Sequence, residues 1–197
     1  MNELDRKALE SRLMGLSYEV IDEALRMLPS GDLLDLLDSR STKIGETAVM
    51  LLANRDEATL LIDALLGNRI HKAIGRVMAS NVLNWFGLAL PEATAARLHL
   101  LKDRSNSVVR NALFGIVFAR RRDLLPTLRR HLEHLPPGSP RFEDFSEAIR
   151  ALEADDPSLF SPGFLDAANV WRLGEAAPPY TAKGKLEVDG REEISGG

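Results

Sequence analysis

The stretch LLDSR, residues 36–40, closes an apolar helical segment, and its shape returns as LLGNR at 65–69 and LLKDR at 100–104. The offsets are 29 and 35 residues, the spacing of stacked helical repeats. The agreement extends beyond five residues. EAT at 57–59 returns at 92–94, and IG at 44–45 returns at 74–75. Each unit reads as helix, tight turn, helix, with the LLxxR segment closing one unit and opening the next. Each arginine is expected to satisfy the carbonyl end of its own helix or to pair with a neighbouring acid.

Helical periodicity dominates the first 155 residues. Ser17 stands at an N-cap position before a face of Val20, Ile21, Ala24, Leu25 and Leu28. Asp32 is read as the cap of the next segment. Further faces comprise Ile44, Ala48, Leu51 and Leu52; then Leu61, Ala64 and Leu65; then Ile74, Val77, Met78, Val82 and Trp85. Pro91 suits a first helical turn. Val108, Ala112, Leu113, Ile116 and Val117 form another stripe, and Phe142, Phe145, Ile149 and Leu152 the last. PPGSP at 136–140 reads as a linker. No strand is expected before residue 174. Beyond it KLEVDGREEI has the Asp-Gly of a small hairpin, but the segment is too poor in large apolar groups to order itself strongly.

One helical hairpin leaves an apolar face that a similar hairpin covers. DRSNSVVRNA, residues 103–112, is similar to the Asp, Val-Arg and Ala pattern in the unit-opening helix of the HEAT-like α-solenoid family. RSTKIGETA (40–48) resembles it less closely, with Gly45 where an arginine is often found, and RIHKAIGRVM (69–78) less closely still. The resemblance covers roughly residues 30–135. It implies an all-α, right-handed superhelical array of about four helical hairpins that binds macromolecules on a groove, and it implies no reaction. The expected organisation is a helical-repeat domain over 1–173 and a flexible tail over 174–197.

Composition narrows the setting. The chain has 197 residues and no cysteine, which excludes disulfides and thiolate chemistry. The charged start lacks the pattern of a signal peptide, and no apolar run approaches the roughly 18 residues of a membrane span. A soluble, cytoplasmic protein is expected. The net charge of −4 hides an asymmetry: residues 69–131 carry 12 Lys/Arg against 3 Asp/Glu, between two acidic flanks. Such a block attracts an anionic partner unless the flanks fold against it.

Signatures of catalysis are absent. There is no phosphate-binding GxxxxGK[ST] loop and no GxSxG elbow. His131 and His134 lie three apart on a helix, but HLEH is not a zinc motif and no third ligand accompanies them. Their plain reading is a solvated helix end. Asp155 and Asp156 precede Pro157 and read as a helix stop. No enzymatic activity, metal or cofactor is expected. HEAT-like solenoids include DNA-base glycosylases, whose sites need an acid and aromatics; Asp103 and Trp85 are the candidates here, although Trp85 and Phe86 read first as core.

The leading reading is therefore a non-enzymatic protein-interaction module (adaptor, regulator or immunity type) that docks an acidic protein partner on a basic central surface. Its contact candidates are Arg40, Arg69, Lys72, Arg76, Arg104, Arg110, Arg120, Arg121 and Arg122. Guanidinium ladders of this kind suit carboxylates and phosphates. The alternative is nucleic-acid binding by the same residues, disfavoured by the acidic total and the 6% aromatic content.

Overall fold

The computed structural model describes residues 1–55, 57–85 and 91–160, and in Trp85 the backbone alone. The expected tail, the KLEVDGREEI hairpin and Phe86 lie outside the described residues. Within them the chain is all-helical, without a strand. In order come α1 (Glu3–Leu13), α2 (Tyr18–Leu25), α3 (Ser30–Asp35), a 3₁₀ turn (Leu36–Asp38), α4 (Thr42–Asn54) and α5 (Ala58–Leu66). Then follow α6 (Ala73–Trp85), α7 (Pro91–Leu100), α8 (Asn106–Phe118), α9 (Leu125–Leu132) and α10 (Pro140–Ala154). No described helix is long and apolar enough to cross a membrane.

Local chemistry accounts for the boundaries. Asn2 accepts from Asp5 N at 2.9 Å, and Ser139 from Phe142 N at 3.2 Å, so each caps its helix. Ser17 sits at the N-cap of α2 but makes no capping bond, and α3 starts at Ser30, which leaves Asp32 in the first turn and not at the cap. Asn68, Arg120 and Asp155 take the left-handed conformation that ends α5, α8 and α10. In each case the next N–H reaches back to a carbonyl of the last helical turn, as in Arg69 N to Ala64 O at 2.8 Å. Asp155 thus stops a helix, as its sequence context indicates. PPGSP is a tight turn with Gly138 at φ +75°, and Pro140 already begins α10.

Packing runs in two layers. α4 packs on α6, α6 on α8 and α8 on α10, while α5 packs on α7 in the other layer. Across the layers α3 meets α4, α5 meets α6, α7 meets α8, and α9 meets α10. These four pairs are the hairpins. Each LLxxR segment is therefore the turn inside a hairpin, not the boundary between units. Its leucines are buried except Leu66, which is 38% exposed.

Most of the expected faces are buried, and the exceptions have packing causes. In α2, Ile21 and Leu25 are fully buried whereas Val20 and Ala24 are exposed, because α2 ends the stack and packs mainly on α4. In α6 the inward face runs through Gly75, Met78, Ala79, Val82 and Leu83, and Ile74 is 44% exposed. Gly75 sets that rotation. A Cβ there would stand 2.6 Å from Leu37 O and 2.8 Å from Ile70 Cγ2, so the helix backbone lies directly on the preceding turn. Gly45, its counterpart in the repeated IG, is less tightly placed: a Cβ there would stand 3.1 Å from the flexible Met78 thioether and 3.7 Å from Leu36 O.

Adjacent hairpin turns are stitched together by backbone recognition. Asp38 accepts from His71 N (2.9 Å) and Lys72 N (2.7 Å), the two N–H groups just ahead of α6. It thus caps α6 from the neighbouring turn. Asp38→Ala is expected to lower stability by about 1–2 kcal/mol, read as a lower urea midpoint at unchanged m-value.

Candidate functional site

Antiparallel hairpins place all their internal turns, at 39–41, 67–72, 101–105 and 133–139, along one edge of the stack. Arg55, at the end of α4, and the connection 119–122 lie along the opposite edge. Hydrogen bonds follow the same division. Arg76, at the start of α6 just after the second turn, donates to Asp103 on the third (Nε–Oδ2 2.6 Å), and Arg141 donates to the carbonyls of Asp103 and Arg104 (2.6 Å each). At the other edge Arg55 donates to Leu28 O (2.8 Å) and Arg121 donates to the Thr94 hydroxyl.

This geometry divides the basic candidates. Arg40, Arg69, Lys72 and Arg104 lie on the hairpin-turn edge, are exposed, and make no side-chain hydrogen bond or ion pair among the described residues. The three LLxxR arginines therefore do not cap their helices or meet an acid there; each points to solvent. Arg76 is withdrawn into its pair with Asp103 and also donates to Ile70 O at 3.1 Å. Arg110, on α8, pairs with Asp144, lies 3.5 Å from Glu147 and covers the Phe160 ring at 4.8 Å. Arg120 pairs with Asp155 at 3.0 Å, and Arg121 forks onto Asp123 (2.8 and 2.7 Å). Both lie on the opposite edge with Arg122, which is exposed and unpaired among the described residues. The Arg120–Arg121–Arg122 run is thus on the opposite edge from Arg40, Arg69 and Arg104, and two of its three charges are compensated internally.

The hairpin-turn edge holds a concavity that charge counting missed. α5 packs on α7, but α7 and α9 stand apart, and a groove of about 560 Å³ opens between them. His99, Lys102, Arg130, His131 and His134 line it, with Leu98 and Thr127 beside them. A second hollow of about 380 Å³ adjoins it and shares His99 and Lys102; His71 and Arg104 stand on its rim. All four histidines of the chain thus gather along one edge. A signal for them existed: His71, His99 and His131 are spaced by 28 and 32 residues, close to the repeat offset.

Electrostatics of the two grooves are one-sided. Asp103 is the one carboxylate among their lining residues. Burial pushes its carboxyl up, but the Arg76 hydrogen bond, the Ser105 N–H and the charges of Arg76 and Arg141 outweigh burial and hold it below the usual range. His131 is pushed down, first by burial and then by Lys102, His134 and Arg130. Its ring is held in place by the buried Phe145 ring at 5.6 Å. His99 Nε2 lies 3.1 Å from Asn68 Oδ1.

The positive charge that lines both grooves favours anions over cations there. Asp103, the acid considered for glycosylase chemistry, accepts from Arg76 and from the Ser105 N–H at 2.8 Å. Among the described residues no group of three or more His, Cys, Asp or Glu is placed to hold a metal ion. A second polar cluster is internal: Arg97, 1% exposed, donates to Leu83 O (2.9 Å) and to Asn84 Oδ1 (3.3 Å), and Asn84 donates to Asn111 O (3.1 Å). Burial, then Arg121, pushes the Arg97 guanidinium down to about 10.

The fold and the edge together define an all-helical stack of hairpins with a cationic groove. No protein family, curated protein or solved structure matches the chain.

Proposed function

We propose that this chain is a HEAT-like α-solenoid interaction module, non-enzymatic and cytoplasmic, of the adaptor, regulator or immunity kind. It docks an acidic protein partner along its hairpin-turn edge. One observation carries this reading: Arg40, Arg69, Lys72, Lys102, Arg104 and Arg130 are all exposed on that edge, and none is ion-paired among the described residues. Six uncompensated cations on one edge steer an anionic partner into contact, and Leu98 in the groove adds apolar burial once it arrives.

An acidic protein fits better than a nucleic acid. The groove lining has no Phe, Tyr or Trp on which bases would stack, and the chain as a whole is acidic. The test is fluorescence anisotropy at low salt with a labelled oligoglutamate peptide, single-stranded DNA and duplex DNA. The peptide is expected to bind. Lys102→Glu with Arg104→Glu should weaken it by about tenfold or more, because repulsion replaces attraction, while Arg122→Glu on the opposite edge should leave it unchanged. Tighter binding of either DNA transfers the edge to nucleic-acid recognition. Absence of peptide binding overturns the reading.

A further inference from the structure

We infer that the α7–α9 groove is a proton-linked binding site for a carboxylate-rich peptide segment, with His99, His131 and His134 taking up protons as the acidic segment enters. This rests on the docking reading above and adds to it the groove, the ligand chemistry and the linkage.

The argument starts from what faces His131. On its own helix and the turn that follows, Arg130 and His134 line the groove with it. From the α7 side come His99 and Lys102. From α10 it meets the uncharged Phe145 ring, while the α10 carboxylates Asp144 and Glu153 are bonded to Arg110 and Arg129. Glu133 is exposed beside His134 but does not line the groove. Every charged side chain lining this groove is thus cationic or becomes cationic on protonation. In the empty groove burial, and then the charges of Lys102, His134 and Arg130, oppose a proton on His131, so that imidazole stays neutral to lower pH.

A bound row of carboxylates reverses that opposition. Glutamate carboxylates remain ionised at any pH where histidine titrates, so the ligand's charge is constant and the groove's is not. Each imidazole near a carboxylate then gains affinity for its proton, and by linkage the peptide binds more tightly as pH falls through the histidine range. Lys102 and Arg130 supply a pH-independent base of attraction, and the histidines supply the variable part. One histidine whose proton affinity rises by one pK unit contributes about tenfold.

The test uses the full chain and an oligoglutamate peptide. Isothermal titration at about pH 6 and about pH 8, in buffers of differing ionisation enthalpy, reads affinity and protons taken up. The expected result is at least ~10-fold tighter binding at the lower pH, with net proton uptake. His134→Gln, an exposed change, should reduce that ratio, and His131→Asn with His134→Gln should reduce it further. Histidine ring resonances of the unaltered chain provide a second measurement that needs no variant: the His131 titration should move to higher pH when the peptide is added. Equal affinity at both pH values with an unmoved His131 titration overturns the linkage, while loss of binding in Lys102→Glu would still uphold the docking reading. No binding at either pH overturns both.

Discussion

Gly115→Ala is expected to destabilise the protein by about 3 kcal/mol, a fall in Tm of roughly 6–12 °C for a chain of this size. Helix propensity argues the opposite sign. Gly115 lies inside α8, where alanine is better than glycine by about 1 kcal/mol. Sterics prevail because the added Cβ would overlap the Asn84 side-chain oxygen and stand 2.6 Å from Arg97 Nε and 2.8 Å from Asn84 Cγ. Those atoms cannot yield cheaply. Asn84 is fully buried, holds Asn111 through its amide nitrogen, and receives the Arg97 Nε–H. Displacing it breaks hydrogen bonds around a buried guanidinium, whose desolvation is costly once its partners are lost. The matched control is Gly31→Ala in α3, where a Cβ meets nothing within 4 Å. That change should be neutral or stabilise by up to about 1 kcal/mol. If the Gly115 variant melts at or above the parent temperature, the close contact between α6, α7 and α8 is wrong.

Asp103→Ala is expected to cost about 3 kcal/mol, because it strands a partly buried Arg76 and the Ser105 N–H together. The pair is well enclosed, with side chains 17% and 10% exposed, and Arg76 meets both carboxylate oxygens at 2.6 and 3.1 Å. The effect has a pH signature. The folded-state carboxyl is held below its ordinary value, so the unfolded chain binds the proton more readily. The stabilisation is therefore complete above the ordinary aspartate range and is lost as pH falls through the folded value. Urea melts of the parent and of Asp103→Asn should differ most near neutral pH and converge below about pH 4. A difference that stays constant down to acid pH would show that the carboxylate charge does not hold the second and third turns together.

Much of the helical framework is legible from residue order, because a helix is built from contacts three and four residues apart. The faces of α4, α5, α8 and α10 are recovered almost residue by residue. The faces of α2 and α6 are not. Val20 and Ile74 are apolar and correctly spaced, yet exposed, since the stack ends at α2 and since Gly75 turns α6 toward Leu37 O. A glycine carries no apolar weight in a periodicity argument, but its bare backbone decides which side of the helix approaches closest.

The candidate site was legible in its charge and illegible in its place. Twelve basic residues between 69 and 131 announce an anion-attracting region. Which of them reach solvent unpaired depends on acids far along the chain: Asp144 takes Arg110 and Asp155 takes Arg120. Residue order alone determined that helices recur with LLxxR at their ends and that the middle of the chain is basic, because periodicity and charge are local properties. The tertiary structure decided that LLxxR lies inside a hairpin and not between units. It decided too that Arg40, Arg69, Lys72, Lys102, Arg104 and Arg130 share one edge with all four histidines, while Arg122 lies on the other. Both follow from which helices pack together, and a helix's own three- and four-residue periodicity does not say whether it pairs with the helix before it or the one after it.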